Sequence, residues 1–310
     1  MTPPAAHAFA PAIRGSLDGL LRALRPERVG ADRFRVTPTA AQFPGRIFGG
    51  QLVAQALTAA SATVDDGFAC SLHAAFVEAG APERPVDLVV DRVRDGRSFA
   101  TRHVTVSQGG RTLLDAIASF RANTAGAPPR APSLGDEPGV TGRSPEELPL
   151  IQDWVGRLPA ARRERAGSWV ASPPAVEIRM AEAPTFLGGS PAPGTRSHWM
   201  RLPYDVGDDP ALHTALLAYA SDFFLMDIVF RAHPDVAAVG NLGGFSLDHA
   251  VWLHRPVRFD RWHVHTQEAL AISGDRGLAR GVIHDEAGQL VATVAQDVLV
   301  RPITRPEVAS

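Results

Sequence analysis

One pattern occurs twice along this chain, and the repetition restricts its fold more than any bulk property does. Residues 31–36 alternate like a strand, after a short helix at 16–24 whose Leu17, Leu20, Leu21 and Leu24 share one stripe. Gly49-Gly50-Gln51 then opens a helix in which Leu52, Val53, Ala56, Leu57 and Ala60 keep the 3.6-residue period. Strand patterns follow at 71–78, 86–94, 99–108 and 112–121, with turns at Asp95-Gly96 and Gly109-Gly110. The second half repeats the plan. Strands at 176–180 and 198–202 precede a helix that Asp208-Asp209-Pro210 starts and that runs to about residue 231. Strands return at 245–253, 262–272, 278–285 and 290–300, with a turn at Ala287-Gly288.

A weak echo supports an internal duplication. His73-Ala74-Ala75-Phe76 resembles His249-Ala250-Val251-Trp252, and Gly110-Arg111-Thr112-Leu113-Leu114 resembles Gly288-Gln289-Leu290-Val291-Ala292, at nearly equal separations. Each half is then expected to be an antiparallel sheet wrapped around one helix, an α+β layer arrangement. The expected division is an N-terminal domain at 1–123, a Pro/Gly-rich linker with a short helix at 124–170, and a C-terminal domain at 171–310.

Composition excludes several chemistries. All 31 cationic side chains are Arg, which removes a Schiff-base lysine, a Walker lysine and a Ser-Lys dyad. Cys70 is the single cysteine, so neither an intrachain disulfide nor a multi-thiolate zinc site can form. Its neighbours Ser71-Leu72-His73 admit a nucleophilic thiol, but a buried inert one is the plainer reading. A net charge of −2 gives no sign of nucleic-acid or anionic-membrane binding. With no signal pattern, no apolar stretch of about 18 residues and no peroxisomal address, the expected compartment is the cytoplasm and no membrane insertion is expected.

The candidate chemistry centres on Asp222, which interrupts the apolar run Leu216-Leu217-Ala218-Tyr219-Ala220-Ser221-Asp222-Phe223-Phe224-Leu225-Met226. It either faces water or sits among apolar side chains. In the second case desolvation raises its pKa and suits it to act as a general base near neutral pH. Downstream lie a hydroxyl at Ser246 and an amide at Gln296 that is expected to be buried. Gly49 and Gly50 at a helix start expose backbone N–H groups that can meet an oxyanion, or simply allow tight packing of helix on sheet. His73 is a groove-lining candidate, with a satisfied core histidine as the alternative. His263-Val264-His265 has metal-compatible spacing without an evident third ligand, so no metal is assigned. Gly244-Phe245-Ser246-Leu247-Asp248 approaches a nucleophile elbow but ends in Asp and leads into a strand pattern.

Seven short motifs, in order, resemble the acyl-CoA thioesterase II family from about residue 34 to 301. They are Phe48-Gly49-Gly50-Gln51, Ser71-Leu72-His73, Arg94-Asp95-Gly96-Arg97-Ser98-Phe99, Tyr219-Ala220-Ser221-Asp222-Phe223, Ser246-Leu247-Asp248-His249, Trp252-Leu253-His254-Arg255-Pro256 and the stretch 291–296. The resemblance implies a double hotdog, two antiparallel sheets each around a long central helix. It also implies a cofactor-free hydrolysis of acyl-CoA to CoA and a carboxylic acid. The family's Asp, Thr and Gln around a hydrolytic water match Asp222, Ser246 and Gln296, so a hydroxyl is kept and a methyl lost at position 246. Attack by water activated at Asp222 and covalent attack by Asp222 itself both remain open. Without Lys, Arg94, Arg97, Arg276 and Arg280 are the candidates for the CoA phosphates. A homodimer or homotetramer is expected. The alternative functions are hydration of an enoyl-CoA on the same fold and non-catalytic acyl-CoA binding.

Overall fold

The computed structural model describes residues 6–37, 45–65, 67–122, 144–233 and 242–302. Residues 124–143 of the expected linker lie outside the described residues. The first half contains helix α1 (Ala6–Ala23), strands β1 (Glu27–Gly30) and β2 (Arg33–Val36), helix α2 (Gly49–Ser61), and strands β3 (Phe68–Phe76), β4 (Val86–Asp95), β5 (Phe99–Gln108) and β6 (Arg111–Arg121). Three short helices, α3 (Ile151–Gly156), α4 (Ala160–Arg165) and α5 (Ser168–Ala171), occupy the region expected to hold one. The second half contains β7 (Glu177–Arg179), β8 (Arg196–Arg201), α6 (Pro210–Ser221), α7 (Leu225–Ala232), β9 (Leu242–Ser246), β10 (Asp248–Leu253), β11 (His263–Ser273), β12 (Arg276–Asp285) and β13 (Leu290–Pro302).

The strand order is β1-β2-β4-β5-β6-β3-β10-β13-β12-β11-β8-β7, with β9 also paired to β13. Counted from each outer edge to the middle, both halves follow one order, as a duplication requires. The expectation of two separate sheets needs correction, because β3 and β10 pair antiparallel from Ser71↔Trp252 to Ala75↔Asp248 and fuse the halves into one 13-stranded sheet. Unpaired edges at the seam would leave backbone donors and acceptors exposed, and joining them removes two such edges.

Helix α2 packs on β3 through β6 and, along its other side, on α6. Its residues Leu52, Val53, Ala54, Ala56, Leu57, Ala59 and Ala60 are all buried. The small residues allow the helix to lie close to both neighbours. Strand β13 shows the sheet's side of the same core. Ala292, Val294, Val298 and Val300 are buried at alternate positions, as the two-residue period demands. Gln296 occupies the middle of that inward row and is likewise buried.

Candidate active site

The helix expected to run unbroken to about residue 231 stops at Ser221 and restarts at Leu225. Asp222 caps the end of α6, and Phe224 holds a left-handed backbone with φ 67°. That conformation is costly for a bulky residue, and apolar packing holds it in place here. Phe224 sits against Trp169 at 5.9 Å and edge-on to His198 at 4.9 Å, centroid to centroid. The break frees the Phe223 carbonyl, which accepts a hydrogen bond from Gln267 Nε2 at 2.7 Å. The consequence is positional. Asp222 leaves the helix axis and meets the start of α2 in the other half.

Gly49 and Gly50 make that meeting possible. A Cβ at Gly50 would lie 2.3 Å from the Tyr219 carbonyl oxygen and 3.1 Å from Asp222 Cβ, and one at Gly49 would lie 2.9 Å from Asp222 Oδ2. Any larger residue would push the carboxylate away. The Gly50 N–H also donates to the Asp222 carboxylate at the positive end of α2. One of the two donors assigned to an oxyanion is therefore engaged by the carboxylate.

Asp222 is only 7% exposed. Burial pushes its pKa above the usual carboxylate range, against the opposing pull of His249, the Gly50 N–H and a hydrogen bond from Gln296. The Gln296 amide also donates from Nε2 to Ser246 Oγ at 2.7 Å. Amide and hydroxyl are thus bonded to each other beside the carboxylate. A kink between β9 and β10 brings Ser246 to it. There the Leu247 N–H donates to the Asp297 carbonyl at 2.8 Å, while the Leu247 carbonyl accepts from Phe76 N–H at 2.9 Å.

His249 completes the group, although the sequence reading gave it no role. It is wholly buried, with Nδ1 at 2.7 Å from Gln296 Oε1 and Nε2 at 2.9 Å from Ser221 Oγ. A signal was present: His249 falls at an inward position of an apolar strand, as Gln296 does.

His73 requires the opposite correction. Leu72 and Ala74 point to the core, so His73 stands on the outer face, exposed, edge-on to Trp252 at 4.9 Å. It is not brought to the group around Asp222. The echo that aligned His73 with His249 is one residue out of register, and in a strand a one-residue slip reverses the face.

A cavity of about 710 Å³ lies between α1, the segment after α5 and the start of α2, and none of Asp222, Ser246 and Gln296 lines it. Its lining includes Phe48 and Tyr219, the residues whose atoms crowd Gly50. Arg22, Arg25 and Arg35 also line it. Arg35 is bonded to Asp87 at 2.7 Å, whereas Arg22 and Arg25 are exposed at the end of α1 and just beyond it. The four arginines chosen from sequence do not line this cavity. Arg276 is paired with Asp297 and Arg280 with Glu268 across neighbouring strands, while Arg94 and Arg97 are exposed around the β4–β5 turn. Asp227, the second acidic residue after the apolar run, is held in a buried pair with Arg196 at 2.6 Å and accepts the Thr185 N–H at 3.0 Å.

The antiparallel sheet and the helices packed on it have a solved counterpart of the hotdog fold. A solved hot dog fold protein of Alicyclobacillus acidocaldarius superimposes with a TM-score of 0.69 at 19% identity, over 92% of this chain and 98% of that one. Residues 38–121 match the acyl-CoA thioesterase N-terminal domain and residues 145–300 the acyl-CoA thioesterase C-terminal domain. The chain is 30% identical over 288 residues to acyl-CoA thioesterase 2 of Haemophilus influenzae, covering 92% of this chain and 98% of that protein. It is also 30% identical to the solved tesB protein of Mycobacterium avium subspecies paratuberculosis, with a TM-score of 0.70 over 92% of this chain and all of that one. The chain belongs to the acyl-CoA thioesterase II family.

Proposed function

We propose that the protein hydrolyses acyl-CoA thioesters, with Asp222 as general base for a water that Ser246 and Gln296 aim. The observation that carries this reading is the 2.7 Å hydrogen bond from the Gln296 amide to Ser246 Oγ beside a buried Asp222 carboxylate that the same amide helps to stabilise. Water attacks the thioester carbonyl carbon and gives its proton to Asp222. The Gly49 N–H and the positive end of α2 stabilise the oxyanion, while the Gly50 N–H steadies Asp222. Collapse of the tetrahedral species breaks the C–S bond, and the departing CoA sulfur takes the proton back. The raised pKa of Asp222 makes its carboxylate a stronger base than a solvated one.

The 710 Å³ cavity is the proposed substrate channel, with Arg22 and Arg25 meeting the CoA phosphates at its mouth. Each half is read as one hotdog unit, α2 filling the first and α6 with α7 the second. The domains accordingly divide at 1–123 and 171–310. The Met180 N–H donates to the Pro149 carbonyl and Leu150 bridges to Arg179, which supports grouping the described part of the linker with the second unit. A homodimer or homotetramer is proposed through the outer sheet face, where Ile117 and Trp252 are exposed. No helix among the described residues is long and apolar enough to cross a membrane, and a cytoplasmic location is proposed.

Thiol release from palmitoyl-, hexanoyl- and acetyl-CoA by wild type and Asp222→Asn tests the function, beside an enoyl-CoA hydration assay. Hydrolysis by wild type that the substitution abolishes is expected. Hydration without thiol release, or binding without turnover, contradicts it.

A further inference from the structure

We propose that His249 is a positioning residue that sets the orientation of the Gln296 amide and so decides which way its donors point. The inference rests on the catalytic reading of Asp222, Ser246 and Gln296 given above.

The argument is one of proton counting. A carboxamide oxygen only accepts hydrogen bonds, so the 2.7 Å contact between His249 Nδ1 and Gln296 Oε1 requires the proton on Nδ1. With Oε1 held there, the amide NH2 must face the other way, toward Asp222 and Ser246. The reversed amide would set a carbonyl oxygen against the Asp222 carboxylate, unfavourable in a buried site, and would require the other His249 tautomer. At 4.0 Å, His249 Nδ1 is too far from Asp222 Oδ1 for a hydrogen bond, so its hydrogen-bonding effect on the carboxylate passes through Gln296.

Ser221 holds the other edge of the ring. Its single hydroxyl proton goes either to the Ala218 carbonyl or to His249 Nε2, both 2.9 Å away. A neutral ring with its proton on Nδ1 accepts at Nε2, so the arrangement that matches the Gln296 contact has the Ser221 hydroxyl donating to the ring. The ring is wholly buried, and its backbone lies opposite Ala74 in the strand pair that joins the two halves. The support for the amide is therefore built into the strand pair that joins the two halves.

The test is a set of variants assayed for kcat, KM and melting temperature on palmitoyl-CoA. His249→Ala should lower kcat by on the order of tenfold to hundredfold, because the amide is no longer held in its productive orientation. KM should stay within about threefold, since His249 is not among the residues lining the proposed channel. On a Gln296→Ala background the same substitution should cost less than about twofold, because the group it positions is gone. His249→Asn can place an N–H near the Nδ1 position and should recover most of the rate. His249→Gln carries its amide farther out, near the Nε2 position, and should not. If His249→Ala does not fold, the Asn and Gln variants carry the comparison.

Equal losses from His249→Ala on the wild-type and Gln296→Ala backgrounds would overturn the proposal. So would equal rates for the Asn and Gln variants, or an effect confined to KM. A wild-type rate in Asp222→Asn or Gln296→Ala would instead remove the catalytic reading beneath it.

Discussion

The two halves share a strand order, but their helices end differently. Helix α2 finishes in regular fashion, with the Ala62 N–H bonded to the Thr58 and Ala60 carbonyls and Thr63 Oγ1 to the Ala60 carbonyl. Helix α6 finishes at a carboxylate and a left-handed Phe224. The last strands of the halves show the same contrast. The inward row of β6 is Leu114, Ala116, Ala118 and Phe120, whereas β13 places Gln296 between Val294 and Val298. The first half has an apolar row at that position and supplies a glycine-rich helix start, with its buried polar groups, Gln55 and Arg102 among them, elsewhere. The second half carries the polar groups, together with a helix break that points one of them across the seam. One copied layout thus accommodates two tasks, because each half can hold what the other would be destabilised by.

Removing the carboxylate should produce the largest effect. Asp222→Asn is expected to lower kcat about 10³-fold with KM nearly unchanged. The same variant should be slightly more stable near neutral pH. The native carboxyl has a folded-state pKa above the unfolded one, so its favourable contribution is full below the unfolded value and disappears as pH rises through the folded value. The amide of the variant does not titrate and escapes that loss. A gain of about 1–3 °C in Tm at pH 7, absent in acid, would show it. Next comes the receiving surface in the first half. Gly50→Ala forces a methyl toward the Tyr219 carbonyl at 2.3 Å and Asp222 Cβ. It should cost about 1–3 kcal/mol by urea denaturation as well as activity. Gly156→Ala, which meets nothing within 4 Å, should be near neutral.

Ser246→Ala should lower kcat by up to about tenfold, the scale of one lost hydrogen bond, and Ser246→Thr should keep the wild-type rate. Arg22→Glu with Arg25→Glu should raise KM for acyl-CoA several-fold at low salt, with the difference shrinking at high salt. The smallest effect sharpens the comparison of faces. His73→Ala should change kcat by less than about twofold, because the ring lies on the outer surface.

Much of this organisation was legible from local pattern. A carboxylate inside an apolar run, an amide in the inward row of a strand and two glycines at a helix start each break a periodic expectation at a visible position. The strand boundaries also followed from alternation and turn glycines, with 99–108 matching β5 to the residue. The failures came from features that pattern does not encode. Phe223-Phe224-Leu225-Met226 continues a helical run in composition, and the left-handed turn at Phe224 is held by Trp169 and His198, distant in sequence. The echo of His73 in His249 is one residue off, an error that similarity cannot reveal and that side-chain alternation exposes at once. Arg22 and Arg25 belong to the cavity through the packing of α1, a long-range contact with no sequence marker.

The central claim is that a buried, high-pKa carboxylate at the seam activates the water. The dependence of kcat/KM on pH, recorded for wild type and Asp222→Asn together, tests it most directly. Wild type should lose activity on acidification through one group titrating above the ordinary aspartate range, and Asp222→Asn should be slow with that acidic limb gone. An unchanged limb in a variant of undiminished rate would show that another group does the work.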